Sequence, residues 1–136
     1  MTEIFVDSGA WLALADRRDQ WHGRAAAVYP QILQQWTKLV TTNLIIAESY
    51  TLIRRRLGHA PAIQFLSSLK QTTRLLRIYA DENLDTQAEA ILRQYSDQDF
   101  SFVDAVSFAA MQAHRITETF AFDTHFRVMG FVLVPN

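Results

Sequence analysis

Short apolar runs alternate with longer stretches of helical periodicity along this chain. Ile4-Phe5-Val6 is an unbroken β-branched and aromatic run stopped by Asp7-Ser8-Gly9, the pattern of a buried strand entering a turn. Trp11-Leu12-Ala13-Leu14 has helix-forming composition, and Trp21 to Trp36 repeats its apolar residues at helical spacing. Leu39-Val40-Thr41-Thr42 reads as a second strand. Asn43 is placed to cap a helix over Leu44 to Leu57, which Gly58 closes. Ala60 to Leu76 and Asn83 to Tyr95 carry helical patterns, with a strand over Leu75 to Tyr79 between them. Ser101 opens a further helix through Ala113, and Thr119 to Phe122 and Phe131 to Val134 are short terminal strands. Strands separated by helices argue for a parallel sheet covered by helices, an α/β sandwich. In such folds ligands sit at the carboxyl ends of the strands, where strand order reverses.

Composition narrows the picture. At 136 residues, 49% hydrophobic and 20% charged, with no repeat or linker, residues 1–136 make one globular domain. The absence of cysteine excludes a disulfide framework or thiolate metal site, and fits a reducing compartment. No apolar stretch approaches the roughly 18 residues of a membrane span. The start, MTEIFVD, lacks the basic flank and long apolar core of a signal peptide, so the expectation is a cytoplasmic protein with no membrane association. A net charge of −1 attracts neither nucleic acid nor an anionic membrane as a whole. Yet every basic residue except Lys38 and Lys70 is an arginine, the better residue for bidentate anion contacts.

The chemistry lies in four carboxylates. Asp7 and Asp123 directly follow strands, Glu48 lies in the helix after the second strand, and Asp104 lies in the first turn of the Ser101 helix. If the strands are parallel, all four fall on one edge of the sheet. Asp7 and Asp123 interrupt apolar surroundings (IFVDSGAW, FAFDTHF), where an unpaired charge is costly. Like charges raise one another's pKa unless a cation compensates, and lysine is scarce. Oxygen ligands without cysteine select Mg²⁺ or Mn²⁺ over Zn²⁺, and such sites support phosphodiester hydrolysis by a metal-activated water. Each acid also has a plainer use. Asp7-Ser8 serves as a turn and cap, Ser101-x-x-Asp104 as a capping box, Glu48 as a partner for Arg55, and Asp123-Thr124-His125 as a polar turn with a surface histidine. Their joint occurrence at the ligand edge favours the shared site.

Taken in order, these residues resemble the PIN-domain ribonucleases, and among them the VapC toxins of bacterial toxin–antitoxin pairs. The resemblance rests on the strand ending in Asp7-Ser8, on Asn43-Leu44-Ile45-Ile46-Ala47-Glu48, on the stretch Tyr95 to Ala105, and on Phe122-Asp123-Thr124-His125-Phe126 with Gly130-Phe131. It implies a three-layer sandwich with a mostly parallel central sheet. It also implies an endoribonuclease dependent on Mg²⁺ or Mn²⁺ that cuts RNA such as tRNA or rRNA, a cognate antitoxin, and a homodimer. Asp7, Glu48, Asp104 and Asp123 become the metal-binding quartet, with Asp7 and Asp104 the most direct ligands. Ser8 and Asn43 either hydrogen-bond these carboxylates or the metal's waters, on the side where the RNA substrate contacts the site, or cap their helices. Arg55, on the Glu48 face, steers RNA phosphates, or joins Arg54 and Arg56 in complementing the helix macrodipole. Arg17, Arg18 and Arg24 line the same groove or bind a partner.

Two other readings compete. A phosphoryl-transfer domain of receiver or dehalogenase type also places Asp after its first strand. The dehalogenase type wants a second Asp where Gly9 stands, and both want a lysine near the site, whereas Lys38 and Lys70 lie in unsuitable segments. A non-catalytic partner-binding module of the same fold predicts a lost acid, and none is missing.

Overall fold

Ile4, Phe5 and Val6 are fully buried in strand β1 (Glu3–Val6), as an uninterrupted apolar run in a parallel sheet must be. In this computed structural model, which describes residues 2–136, β1 pairs with β2 (Lys38–Thr42) on one side and β4 (Glu118–Phe120) on the other. Strand β3 (Leu75–Ile78) adds beyond β2, and β5 (Val132–Val134) beyond β4. The order is β3-β2-β1-β4-β5 and every pair is parallel, so the expected mostly parallel sheet is wholly so. Two buried threonines lock the central strand from both sides: Thr41 Oγ1 donates to Val6 O and Thr119 Oγ1 to Phe5 O, each at 3.1 Å.

Helices α1 (Ser8–Ala15) and α2 (His22–Gln35) connect β1 to β2, and α3 (Asn43–Leu57) and α4 (His59–Gln71) connect β2 to β3. Helices α5 (Glu82–Gln94) and α6 (Phe102–Ala113) lead from β3 across to β4, and α7 (His125–Val128) is a single turn before β5. The first two crossovers step one way along the sheet and the third steps back. Right-handed crossovers therefore put α1 to α4 on one face and α5 with α6 on the other, giving three layers. Strand order reverses between β1 and β4, so the switch point lies where Asp7 and Asp123 leave the sheet. Among the described residues no helix is long and apolar enough to cross a membrane.

Local details correct several expectations. Thr42, not Asn43, caps α3, its hydroxyl accepting from Ile45 N at 3.1 Å. Asn43 is the first helical residue, and its Oδ1 accepts from Ala80 N at 2.9 Å, tying the end of β3 to α3. Helix α4 stops at Gln71 rather than Leu76, because Leu75 and Leu76 continue the apolar pattern as strand β3. Helix α2 ends at Gln35 under the Arg74 guanidinium, which donates to the carbonyls of Leu33, Trp36 and Thr37. Gly58 closes α3 as expected, at φ 100° and ψ −178°, a conformation essentially reserved for glycine.

Candidate metal centre

Asp7 is the residue at which β1 becomes α1. Its backbone carbonyl accepts from Ala10 N and Trp11 N at 3.1 and 3.2 Å, starting the helix, while its carboxylate makes no capping hydrogen bond. The plain use of Asp7 as a side-chain cap is therefore absent. The residue is only 6% exposed, and its pKa is pushed up to about 7. Burial is the largest cause. The Ser8 backbone N–H opposes it, and the charges of Asp104, Asp123 and Glu48 raise it further. The four acids thus share one electrostatic environment.

Each of the other three is oriented by a neighbour. Ser8 Oγ donates to Glu48 Oε1 at 2.5 Å, joining the first turn of α1 to the second turn of α3. Glu48 makes no ion pair with Arg55 among the described residues. Asp104 does complete the capping box: its Oδ2 accepts from Ser101 N and Ser101 Oγ accepts from Asp104 N, both at 3.0 Å. The box uses one carboxylate oxygen and leaves Oδ1 outside it, so capping and ligation are compatible here. Asp123 Oδ1 accepts from His125 N at 2.9 Å, which starts α7.

His125 is the residue that sequence reasoning undervalued. Its Nδ1 lies 3.3 Å from Asp104 Oδ2 and 3.4 Å from Asp123 Oδ1, bridging carboxylates from two elements. Nδ1 thus faces carboxylate oxygens from α6 and from the loop after β4. The ring stands edge-on to Phe100, with centroids 5.1 Å apart. Phe100 in turn packs on Phe108, and Phe108 on Phe126, so the aromatic core fixes the imidazole from beneath. The spacing Asp-x-His was visible in the sequence, but the partner on α6 was not.

The donor set fits a divalent cation. Asp104, Asp123 and His125 each offer a ligand atom, all within 4.8 Å of one another, and Asp7 and Glu48 add negative charge that raises the cost of an empty site. Oxygen ligands dominate, which suits a hard ion. Asn43 engages Ala80 instead of a carboxylate, and Asp97 and Asp99 are exposed on the preceding loop, outside the cluster. Arg56 is held by Asp19 at 3.0 Å and Asp16 at 3.4 Å, whereas Arg55 makes no ion pair among the described residues. Arg24 lies over Trp21 and donates to Asn136 O.

The PIN domain family matches residues 4–132. In two strains of Mycobacterium tuberculosis a relative described as the 23S rRNA-specific endonuclease VapC20 is 36% identical over 132 residues, covering 96% of this chain and 97% of the relative. The crystal structure of Mycobacterium tuberculosis VapC20, described as a Sarcin-Ricin loop cleaving toxin, superposes with a TM-score of 0.86 at 32% identity, over 95% of this chain and 96% of that one. VapBC2 from Rickettsia felis, bound to a promoter DNA fragment, superposes with a TM-score of 0.71 over 97% of each chain. At 9% identity that match speaks for the fold alone.

Proposed function

The chain belongs to the PIN domain family, and from that premise we propose that it is a metal-dependent endoribonuclease of the VapC toxin type. The observation that carries the reading is the acidic cluster at the switch point of the sheet: Asp104 and Asp123 lie within ligand distance of each other, and Asp7 is driven to a pKa of about 7 by burial and by the charges of Asp104, Asp123 and Glu48. Ribosomal RNA is the first candidate substrate, because relatives sharing 36% of residues over nearly the whole chain are described as 23S rRNA-specific. That substrate would place the protein in the cytoplasm.

Asp7 and Asp104 are assigned as the direct ligands of Mg²⁺ or Mn²⁺, and Glu48 and Asp123 complete the site or hold its waters. A divalent ion held there would acidify a bound water and offset charge on the phosphate. The chain's own part is to hold its acids in place. Ser8 fixes Glu48, Ser101 and His125 fix Asp104, and the His125 amide and ring fix Asp123. The aromatic floor of Phe100, Phe108 and Phe126 keeps bulk water from the site's underside. No side chain is required as a nucleophile.

A cognate antitoxin and a homodimer belong to the same proposal. A groove of about 440 Å³ between α1, α2 and α4, walled by Trp11, Leu14, Tyr29, Pro61, Phe65 and Leu69, is where an amphipathic antitoxin segment would lie. The Trp11 indole N–H is buried there without a partner among the described residues.

The test is to incubate purified chain with 23S rRNA and with tRNA in Mn²⁺ and to map new ends. The expected result is discrete cleavage of the ribosomal RNA, abolished by chelator and by Asp7→Asn. Cleavage indifferent to both would refute the metal site, and discrete cleavage of tRNA alone would redirect the substrate.

A further inference from the structure

At Ala15 the apolar groove between α1, α2 and α4 meets a second concavity, of about 630 Å³, formed with Asp16, Arg17, Arg18, Arg56 and Leu57. Ala15 lines both, so the two make one continuous surface, but their chemistry differs. On α4 the groove is walled by Pro61, Phe65 and Leu69, four residues apart on one helical face. That stripe runs about 12 Å, a little over two helical turns. Its hydroxyls are already engaged, since Ser68 Oγ donates to Phe65 O at 2.8 Å and Thr72 Oγ1 to Ser68 O at 2.9 Å. A segment lying there is held by apolar contact.

The concavity beyond Ala15 is built from arginine. Asp16, buried at the end of α1, accepts from the Arg18 backbone N–H at 3.0 Å and from Arg56 Nη1 at 3.4 Å. Asp19 accepts from the same Nη1 at 3.0 Å. Both carboxylates are thus engaged by Arg56 and by the turn itself. Arg17 and Arg18 are exposed and make no ion pair among the described residues. Two uncompensated guanidiniums therefore stand at one end of an apolar groove. Helix α1, about 12 Å long, separates them from Asp7 and the acidic cluster. A phosphate backbone gains nothing from the apolar stripe, whereas an amphipathic helix with an acidic end matches both halves of the surface.

Resting on the partner reading above, we infer that Arg17 and Arg18 form a carboxylate subsite for the antitoxin. The helix that lays its apolar face in the groove carries Asp or Glu at the end that reaches past Ala15. Arginine suits the task because its planar guanidinium takes a carboxylate through two parallel hydrogen bonds. Apolar contact supplies affinity, and the arginine pair sets the direction in which the helix lies.

The test selects short helical peptides from a displayed library, randomised along one face and at both ends, on the full antitoxin-free chain. The parent should enrich peptides that combine an apolar stripe with acidic residues at one end only. The chain carrying Arg17→Glu and Arg18→Glu should enrich the same stripe with basic residues at that end. By fluorescence anisotropy, a parent-selected peptide should bind the chain carrying Arg17→Ala and Arg18→Ala about tenfold more weakly, with a shallower salt dependence. Melting temperatures near the parent's show that the variants fold. An enriched stripe with no acidic end, or the same acidic end on the charge-reversed chain, overturns the subsite and keeps the groove. No enriched helix overturns both, and a changed elution volume for the double alanine variant then assigns the surface to contact between copies. Peptide binding indifferent to both arginines, with loss of affinity for a labelled ribosomal RNA fragment, overturns the subsite and gives the pair to RNA. Because selection does not read cleavage, a chain that enriches acid-ended peptides but cuts no RNA refutes the ribonuclease and keeps the subsite. A chain that cuts RNA and enriches no acidic end does the reverse.

Discussion

Removing the charge of Asp7 should stabilise the metal-free protein, by an amount that depends on pH. Burial and three neighbouring carboxylates raise its pKa from the ordinary 3.8 to about 7. At 1.36 kcal/mol per unit, that shift of about 3 units costs the folded state at most about 4 kcal/mol once Asp7 is ionised. The sign follows from proton binding. Between pH 4 and 7 the folded chain holds a proton that the unfolded chain has released, so stability falls as pH rises through this window. Below pH 4 both states are protonated and the penalty vanishes; above pH 7 it is complete. Asp7→Asn is close to isosteric, uses no capping bond of the parent, and offers donors that nearby carboxylates can accept. In chelator, melting temperatures followed by circular dichroism should coincide for parent and variant near pH 4. By pH 8 they should diverge in the variant's favour by roughly 10 °C for a domain of this size. A difference constant across pH, or a variant less stable at pH 8, would refute the claim that Asp7 carries the strain of the cluster.

Three further outcomes follow from the same geometry. Mg²⁺ or Mn²⁺ should raise the parent's melting temperature, with a gain of about 2.7 kcal/mol at one hundred times the dissociation constant, and chelator should reverse it. His125→Ala should lower Mn²⁺ affinity by about tenfold or more in calorimetry, since Asp104 and Asp123 lose the group that bridges them; unchanged affinity would make the contact incidental. Ser101→Ala should cost about 1 kcal/mol in urea unfolding by removing the α6 cap. It should weaken Mn²⁺ binding less than His125→Ala does, because the Ser101 backbone N–H still reaches Asp104.

Much of this site was legible before any coordinates. Ile4-Phe5-Val6 and Leu39 to Thr42 announce buried strands because a parallel sheet covered on both faces needs continuous apolar runs. Asp7 and Asp123 stand out because charge right after such runs is costly. What stayed hidden depends on the third dimension. The sequence does not say that β4 lies beside β1, which is what brings Asp123 to Asp7. Nor does it say that His125 meets Asp104, 21 residues away on α6. The choice between Thr42 and Asn43 as cap was decided by the Ala80 amide, a long-range partner that takes Asn43 into the helix. Helix α7 escaped notice because four residues are too few for periodicity.

The central claim is that four carboxylates from four segments make one divalent-cation site. Its most direct test is a calorimetric titration of Mn²⁺ into the purified, antitoxin-free chain at pH 7.5, with Asp7→Asn and Asp104→Asn titrated alongside. Saturable binding by the parent, lost or greatly weakened in both variants, is the predicted result. A folded parent that takes up no Mn²⁺, or variants that bind it as tightly as the parent, would contradict the account.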